Sequence, residues 1–180
     1  MNLRTLWQRP ESRFLILFLS ILGVSFLVIA LRPVNDAFVV PYTTLIAKVA
    51  GTILGLIGED ITINGCVLRS PRFAVTIYNG CNGLITSLIF ISGVLAFPAR
   101  ASAKVIGVIG GLLAIQAINM IRILSLFYIG IYLPKLFNSS HIFIWQSLVI
   151  LAGVTLWIVW AHYFAIPPRK EAEGTVGGSR

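Results

Sequence analysis

Three scarce side chains in this sequence have the types to do chemistry together: Cys81, Arg122 and His141. Cys81 sits in Tyr78-Asn79-Gly80-Cys81-Asn82-Gly83-Leu84, between two Asn-Gly pairs and just ahead of an apolar run. Three readings of it are open: a small packed residue, half of a Cys66–Cys81 disulfide, or a nucleophile. A helix beginning at this point predicts a thiol pKa lowered by the helix dipole. It also predicts unpaired N–H groups at Asn82 and Gly83, suited to an oxyanion.

Arg122 interrupts an otherwise apolar segment. A guanidinium there costs at least about 2.5–3.5 kcal/mol on insertion scales, so it must face protein or a wet cavity. It either ties loop carbonyls together or binds a carboxylate or a developing oxyanion. Gln116, Asn119, Arg122 and Ser125 recur every three residues and predict one polar stripe. Asn119, one turn before Arg122, either orients the guanidinium or bonds a neighbouring helix. His141 is either a base paired with the thiol or a polar end-cap. His162 lies about 30 Å further along the same expected helix, so the two imidazoles cannot share a metal or haem. It reads as an interfacial residue. A GxSxG motif and a Gly-rich phosphate loop are both absent from the sequence.

Composition narrows the classes. The chain has 180 residues, of which 57% are hydrophobic and 11% charged, with mean hydropathy +0.92. Soluble domains carry about 25% charged residues, so this is an integral membrane protein. Net charge is +8, from 14 Lys and Arg against 6 Asp and Glu. The bases cluster at the ends of apolar runs without aromatic interleaving. They report membrane topology, and nucleic acid is not an expected partner. The acids, Glu11, Asp36, Glu59, Asp60, Glu171 and Glu173, all fall in expected loops or termini. This excludes an intramembrane aspartyl protease, a carboxylate proton carrier and a carboxylate metal site. Two cysteines exclude a Cys-rich zinc or iron–sulfur module. No cofactor and no metal are expected.

The positioning elements follow from apolar length and punctuation. The expected fold is an all-α integral membrane bundle. It has about four transmembrane helices, one amphipathic or re-entrant helix and a small extracytoplasmic β meander. Phe14–Leu31 is an uncleaved first span with a cytoplasmic head. Ala37–Gly58 carries Leu45, Val49, Ile53 and Leu56 at helical spacing. It reads as the amphipathic or re-entrant helix at the outer surface, with a full crossing as the alternative. Ile61–Tyr78 alternates and turns, with a type I′ turn signal at Asn64-Gly65 and a break at Ser70-Pro71. Spans are then expected from Cys81 to Phe97, from Val105 to about Leu133, and from His141 to Ile166, with a loop over residues 134–140. Trp157, Trp160 and Tyr163 suit a headgroup belt. Residues 1–168 form one membrane-embedded domain, and 169–180 a disordered cytoplasmic tail. With Ala37–Gly58 not crossing, Arg100, Lys104, Arg169 and Lys170 fall inside, as the positive-inside rule favours. Cys81, Arg122 and His141 then gather toward the extracytoplasmic face.

These residues carry a family resemblance. The pattern V-x-I-Y-N-G-C-N-G-L over residues 75–84, I-N-M-I-R-I over 118–123 and a histidine opening the next helix resemble the exosortase/archaeosortase family. The resemblance covers about Thr44 to Ile166, and the short chain is similar to compact members such as exosortase H. It implies a sortase-like cysteine protease or transpeptidase of the cell inner membrane. Cys81 would be nucleophile, with Arg122 and His141 beside it. It also implies substrates that are exported proteins ending in a short motif, a transmembrane helix and a basic cluster (a PEP-CTERM-like signal). The acyl group would pass to water or to an amine or hydroxyl acceptor, for which a lipid or polysaccharide is compatible. The rival from the residues alone is a non-enzymatic scaffold or lipid/anion-binding protein, with Cys66 and Cys81 joined.

Overall fold

The computed structural model describes residues 9–165. The expected tail, residues 169–180, lies outside the described residues, as does the end of the 1–168 domain.

Helix α1 spans Pro10–Ala30, with proline at its first turn where no N–H partner is lost. The backbone turns extended at Leu31, and α2 then runs from Arg32 to Leu56, with a wide π-type turn at Asn35–Val39. It ends in a Schellman motif. Gly58 takes φ +103°, its N–H bonds to the Gly55 carbonyl, and the Glu59 N–H bonds to Leu54. Three short strands follow, β1 Thr62–Asn64, β2 Val67–Arg69 and β3 Ala74–Thr76. Helices α3 Leu84–Ala96, α4 Ala101–Tyr132 and α5 Pro134–Ala165 complete the bundle.

Among the described residues, four helices are long and apolar enough to cross a membrane: α1, α2, α4 and α5. The set differs from the expected one. The segment expected to cross from Cys81 to Phe97 is helical only over the 13 residues of α3. That is about 20 Å against a hydrocarbon core of about 30 Å. Gly83 at φ +78° delays its start, and Pro98 follows its end. Residues 134–139, expected as a loop, are already helical, so His141 lies within α5 on a second π-type turn, Ser140–Trp145. Glu11 and Asp36, expected outside helices, sit in the opening turns of α1 and α2.

The face of α2 that packs is not the stripe of Leu45, Val49, Ile53 and Leu56 that apolar spacing picks out. Thr43, Ile46, Ala47, Ala50 and Leu54 are buried, against Leu68 of β2 and Ile123 and Phe127 of α4. Leu45, Val49 and Leu56 are exposed. Where lipid surrounds a helix, large apolar residues gain little by turning inward, and small residues that let backbones approach take the interface. Gly51 is such a residue: a Cβ there would meet Ile63 Cδ1 at 2.5 Å.

The expected meander is a three-stranded antiparallel sheet in the order β1-β2-β3. Its first turn is one residue later than the Asn-Gly signal suggests. Asn64 pairs with Val67, which leaves Gly65 and Cys66 as the loop. Gly65 has φ +59°, and among the described residues no non-glycine residue has positive φ. That fits a type II′ turn, glycine first, not the type I′ turn that needs two positive values. At the second turn Ser70 Oγ accepts the Phe73 N–H at 3.1 Å.

At the other end of the bundle, α4 carries Gly107 and Gly111, a small-xxx-small pair. Trp160 fills the notch at Gly107 and Phe90 the notch at Gly111. The Trp160 indole N–H donates to the Ala103 carbonyl at 2.8 Å. Trp160 is therefore a core residue and not part of a headgroup belt, whereas Tyr163 is exposed. Lys104 Nζ donates to the Leu95 carbonyl at 2.6 Å, capping the C-terminus of α3 with positive charge.

Candidate active site

Cys81 lies in the turn between β3 and α3, where its N–H bonds to the Tyr78 carbonyl at 2.8 Å. Arg122 is on α4, 3% exposed, and His141 is on the wide turn of α5. Extra backbone at such a turn rotates side chains out of helical phase, which suits functional positions. The three meet. Cys81 Sγ is 2.8 Å from His141 Nε2. Arg122 Nη2 is 3.2 Å from the same nitrogen and 3.8 Å from the sulfur. Phe137 stacks parallel to the imidazole at 6.2 Å between centroids. His162 is elsewhere, edge-on to Tyr163.

The electrostatics of the thiol differ from the sequence expectation. Cys81 precedes α3 by three residues instead of opening it, so the helix dipole does not govern it. Burial pushes the thiol up from its ordinary value. The Arg122 charge and the Tyr78 backbone pull it partly back. A guanidinium has only donors, so its contact with Nε2 suits an unprotonated nitrogen there, and the same group stands beside the sulfur on which charge would develop.

Cys66 is not bonded to Cys81; both are free thiols. Cys66 closes the β1–β2 turn and touches Thr44 Oγ1 at 3.6 Å, while Cys81 faces α4 and α5. The disulfide-linked scaffold therefore loses its basis.

Asn82 is fully buried. Its Nδ2 donates to Thr43 Oγ1 at 2.8 Å and its Oδ1 accepts the Leu84 N–H at 3.0 Å. One side chain thus caps α3 and locks the Cys81 turn to α2. Tyr42 adds a hydroxyl bond to the Asn82 carbonyl at 3.3 Å. Tyr42 and Thr43 were not singled out as site residues; their signal was adjacent hydrogen-bonding side chains in an apolar segment. Among the described residues, the Asn82 and Gly83 N–H groups have no acceptor.

The stripe on α4 is shorter than expected. Gln116, Asn119 and Arg122 turn inward, but Ser125 bonds back to the Ile121 carbonyl of its own helix. Each three-residue step drifts about 60° around a helix, so the fourth member has left the face. Gln116 Nε2 reaches Ser87 Oγ at 3.4 Å. Asn119 is 1% exposed, and its amide makes no protein bond among the described residues.

Gly83 carries the turn. A Cβ would stand 2.9 Å from Gln116 Nε2 and 3.2 Å from Asn119 Cγ. Gly83→Ala should cost about 1–2 kcal/mol in backbone conformation alone. The expected result is a lower melting temperature in detergent together with slower alkylation of Cys81, as the sulfur is displaced from its partners.

A family model described as transmembrane exosortase (Exosortase_EpsH) matches residues 5–161. No curated protein and no solved structure matches the chain. The matched region takes in all three residues of the cluster and every strand and helix start around it. The chain belongs to the transmembrane exosortase family.

Proposed function

We propose that the chain is a membrane-embedded cysteine protease or transpeptidase that cleaves C-terminal sorting signals of exported proteins through Cys81, Arg122 and His141. The observation that carries this reading is a sulfur 2.8 Å from an imidazole nitrogen, with one guanidinium nitrogen in reach of both.

In the first step Cys81 sulfur attacks the scissile carbonyl carbon as its proton passes to His141 Nε2. Negative charge develops first on sulfur and then on the carbonyl oxygen. Arg122 and the unpaired N–H groups of Asn82 and Gly83 are the donors for that oxygen. The C–N bond breaks, and the proton on Nε2 goes to the leaving amine. Arg122 helps this transfer: once the sulfur is acylated, the imidazolium faces a second positive charge with no anion between them. The thioester is then opened by water or by an amine or hydroxyl acceptor, with a lipid or polysaccharide as candidate carriers.

The site lies on the extracytoplasmic side of the inner membrane. Arg100 and Lys104, at the start of α4, are about 30 Å along the helix from Arg122, and the positive-inside rule assigns them to the cytoplasm. For Arg100 and Lys104 to lie inside with the head, the chain from Cys81 to Pro98 makes the inward crossing, its turn and extended end adding to the length of α3, while α2, packed on the sheet and on the α4 half that bears the site, stays at the outer face.

The test is to trap the acyl-enzyme. Membranes that are processing exported substrate are quenched in acid, and the Cys81 peptide is mapped by mass spectrometry. A hydroxylamine-sensitive acyl group on Cys81, derived from an exported protein, is expected. Cys81 recovered only as free thiol under conditions of active processing would sink the reading.

A further inference from the structure

The backbone beside the nucleophile has a free edge. Among the described residues, β3 pairs only with β2. The ladder bonds run from the Ser70 N–H to the Phe73 carbonyl and from the Ile77 N–H to the Cys66 carbonyl, both at 2.8 Å, and Val75 faces Leu68. Bonded and non-bonded pairs alternate in an antiparallel ladder. Phe73, Val75 and Ile77 therefore turn their peptide groups toward β2. Ala74 and Thr76 turn theirs the other way, and among the described residues these groups have no hydrogen-bond partner.

That edge lines a cavity of about 400 Å³ whose other walls include Cys81, His141, Phe137 and Leu126. The edge is thus continuous with the candidate active site. Two N–H and C=O pairs about 7 Å apart match the repeat of an extended peptide. They match nothing in a lipid tail or a helix, whose peptide groups are absent or already bonded. The apolar walls suit alternate side chains of such a strand.

We infer that the substrate segment around the scissile bond binds as a fourth strand on β3, hydrogen-bonded to Ala74 and Thr76, which delivers its carbonyl to Cys81. This rests on the proposed peptidase reading and adds the substrate's conformation to it. Affinity comes from main-chain bonds, which are indifferent to sequence, and selectivity from the cavity beneath alternate residues.

The experiment uses the purified full-length protein in detergent and two probes, acetyl-Val-Ala-Val chloromethyl ketone and its analogue N-methylated at the alanine. Alkylation of Cys81 is followed by peptide mass, with iodoacetamide as the reference reagent. The unmodified peptide should label Cys81 at least about tenfold faster than its N-methyl analogue, the loss expected when a backbone hydrogen bond is blocked and a methyl group obstructs the edge. Thr76→Pro removes an edge N–H that β2 does not use, a position where sheets tolerate proline. It should erase the preference and leave the iodoacetamide rate unchanged. Equal labelling by both peptides in the wild-type protein overturns the inference, and so does a dimer whose β3 edges pair with each other. The readout needs only an accessible thiol, so its failure is separate from failure of the catalytic reading, which is scored by substrate processing.

Discussion

Membranes carrying Cys81→Ala retain the full-length form of the exported substrate, with processing reduced by at least about 10⁴-fold, the scale on which nucleophile removal acts. The measurement is a pulse-chase of substrate size, with the level of the variant protein followed in parallel. The structure makes this a test of chemistry and not of folding. Cys81 is only partly buried, and the turn around it is held by Asn82, Thr43 and the Tyr78 carbonyl instead of by the sulfur. Cys81→Ser should be nearly as inactive, because a hydroxyl is far harder to deprotonate than a thiol, even one that burial raises and Arg122 only partly lowers again. Normal processing by a stably expressed Cys81→Ala protein ends the peptidase reading.

Arg122→Gln should lower processing by about 10²–10³-fold, the usual effect of losing one oxyanion donor. It acts twice, since the same charge also favours the thiolate. Arg122 lowers the thiol pKa against the opposing effect of burial. Its removal raises that pKa, so at fixed pH less thiolate is present. The rate of Cys81 alkylation by iodoacetamide should fall at neutral pH, and its pH profile should move to higher pH. Arg122→Lys separates charge from geometry. A lysine keeps the charge as a single point but loses the planar set of donors that leaves further guanidinium N–H groups for the oxyanion while Nη2 alone addresses Sγ and Nε2. Alkylation should then be largely retained while processing stays low. A Gln variant with an unshifted alkylation profile would show that the guanidinium does not act on the sulfur.

Helix positions were legible because membrane crossing is a statement about composition and length. Pro10–Ala30, Ala101–Tyr132 and most of Pro134–Ala165 follow from apolar runs bounded by proline and arginine. The anomaly of Arg122 was legible for the same reason, as was the membership of Asn119 in its face. The small sheet was visible from alternation over Ile61–Tyr78, although its first turn slipped by one residue. The turn type depends on the φ of Cys66 as well as of Gly65, and a dipeptide signal does not report that.

The buried face of α2 was not legible, because hydrophobic periodicity loses its meaning where both protein and lipid are apolar. Thr43 and Ala47 win the interface over Leu45 and Val49 through size and hydrogen bonding, which a moment of hydrophobicity does not weigh. The sequence gathered Cys81, Arg122 and His141 toward one face, but the residues alone left packing, disulfide and nucleophile open for the thiol. A wide turn in α5 brings His141 Nε2 to 2.8 Å from the sulfur, and a tight turn at Gly65–Cys66 carries the other thiol to Thr44. By itself the sequence determined that the chain lives in a bilayer and that a buried cation needs company, since both follow from the transfer energies of single residues. Tertiary structure alone decided which groups keep that company and which strand edge is left open beside them. Hydrogen bonds act over about 3 Å, and only the packed arrangement of separate helices sets distances that short.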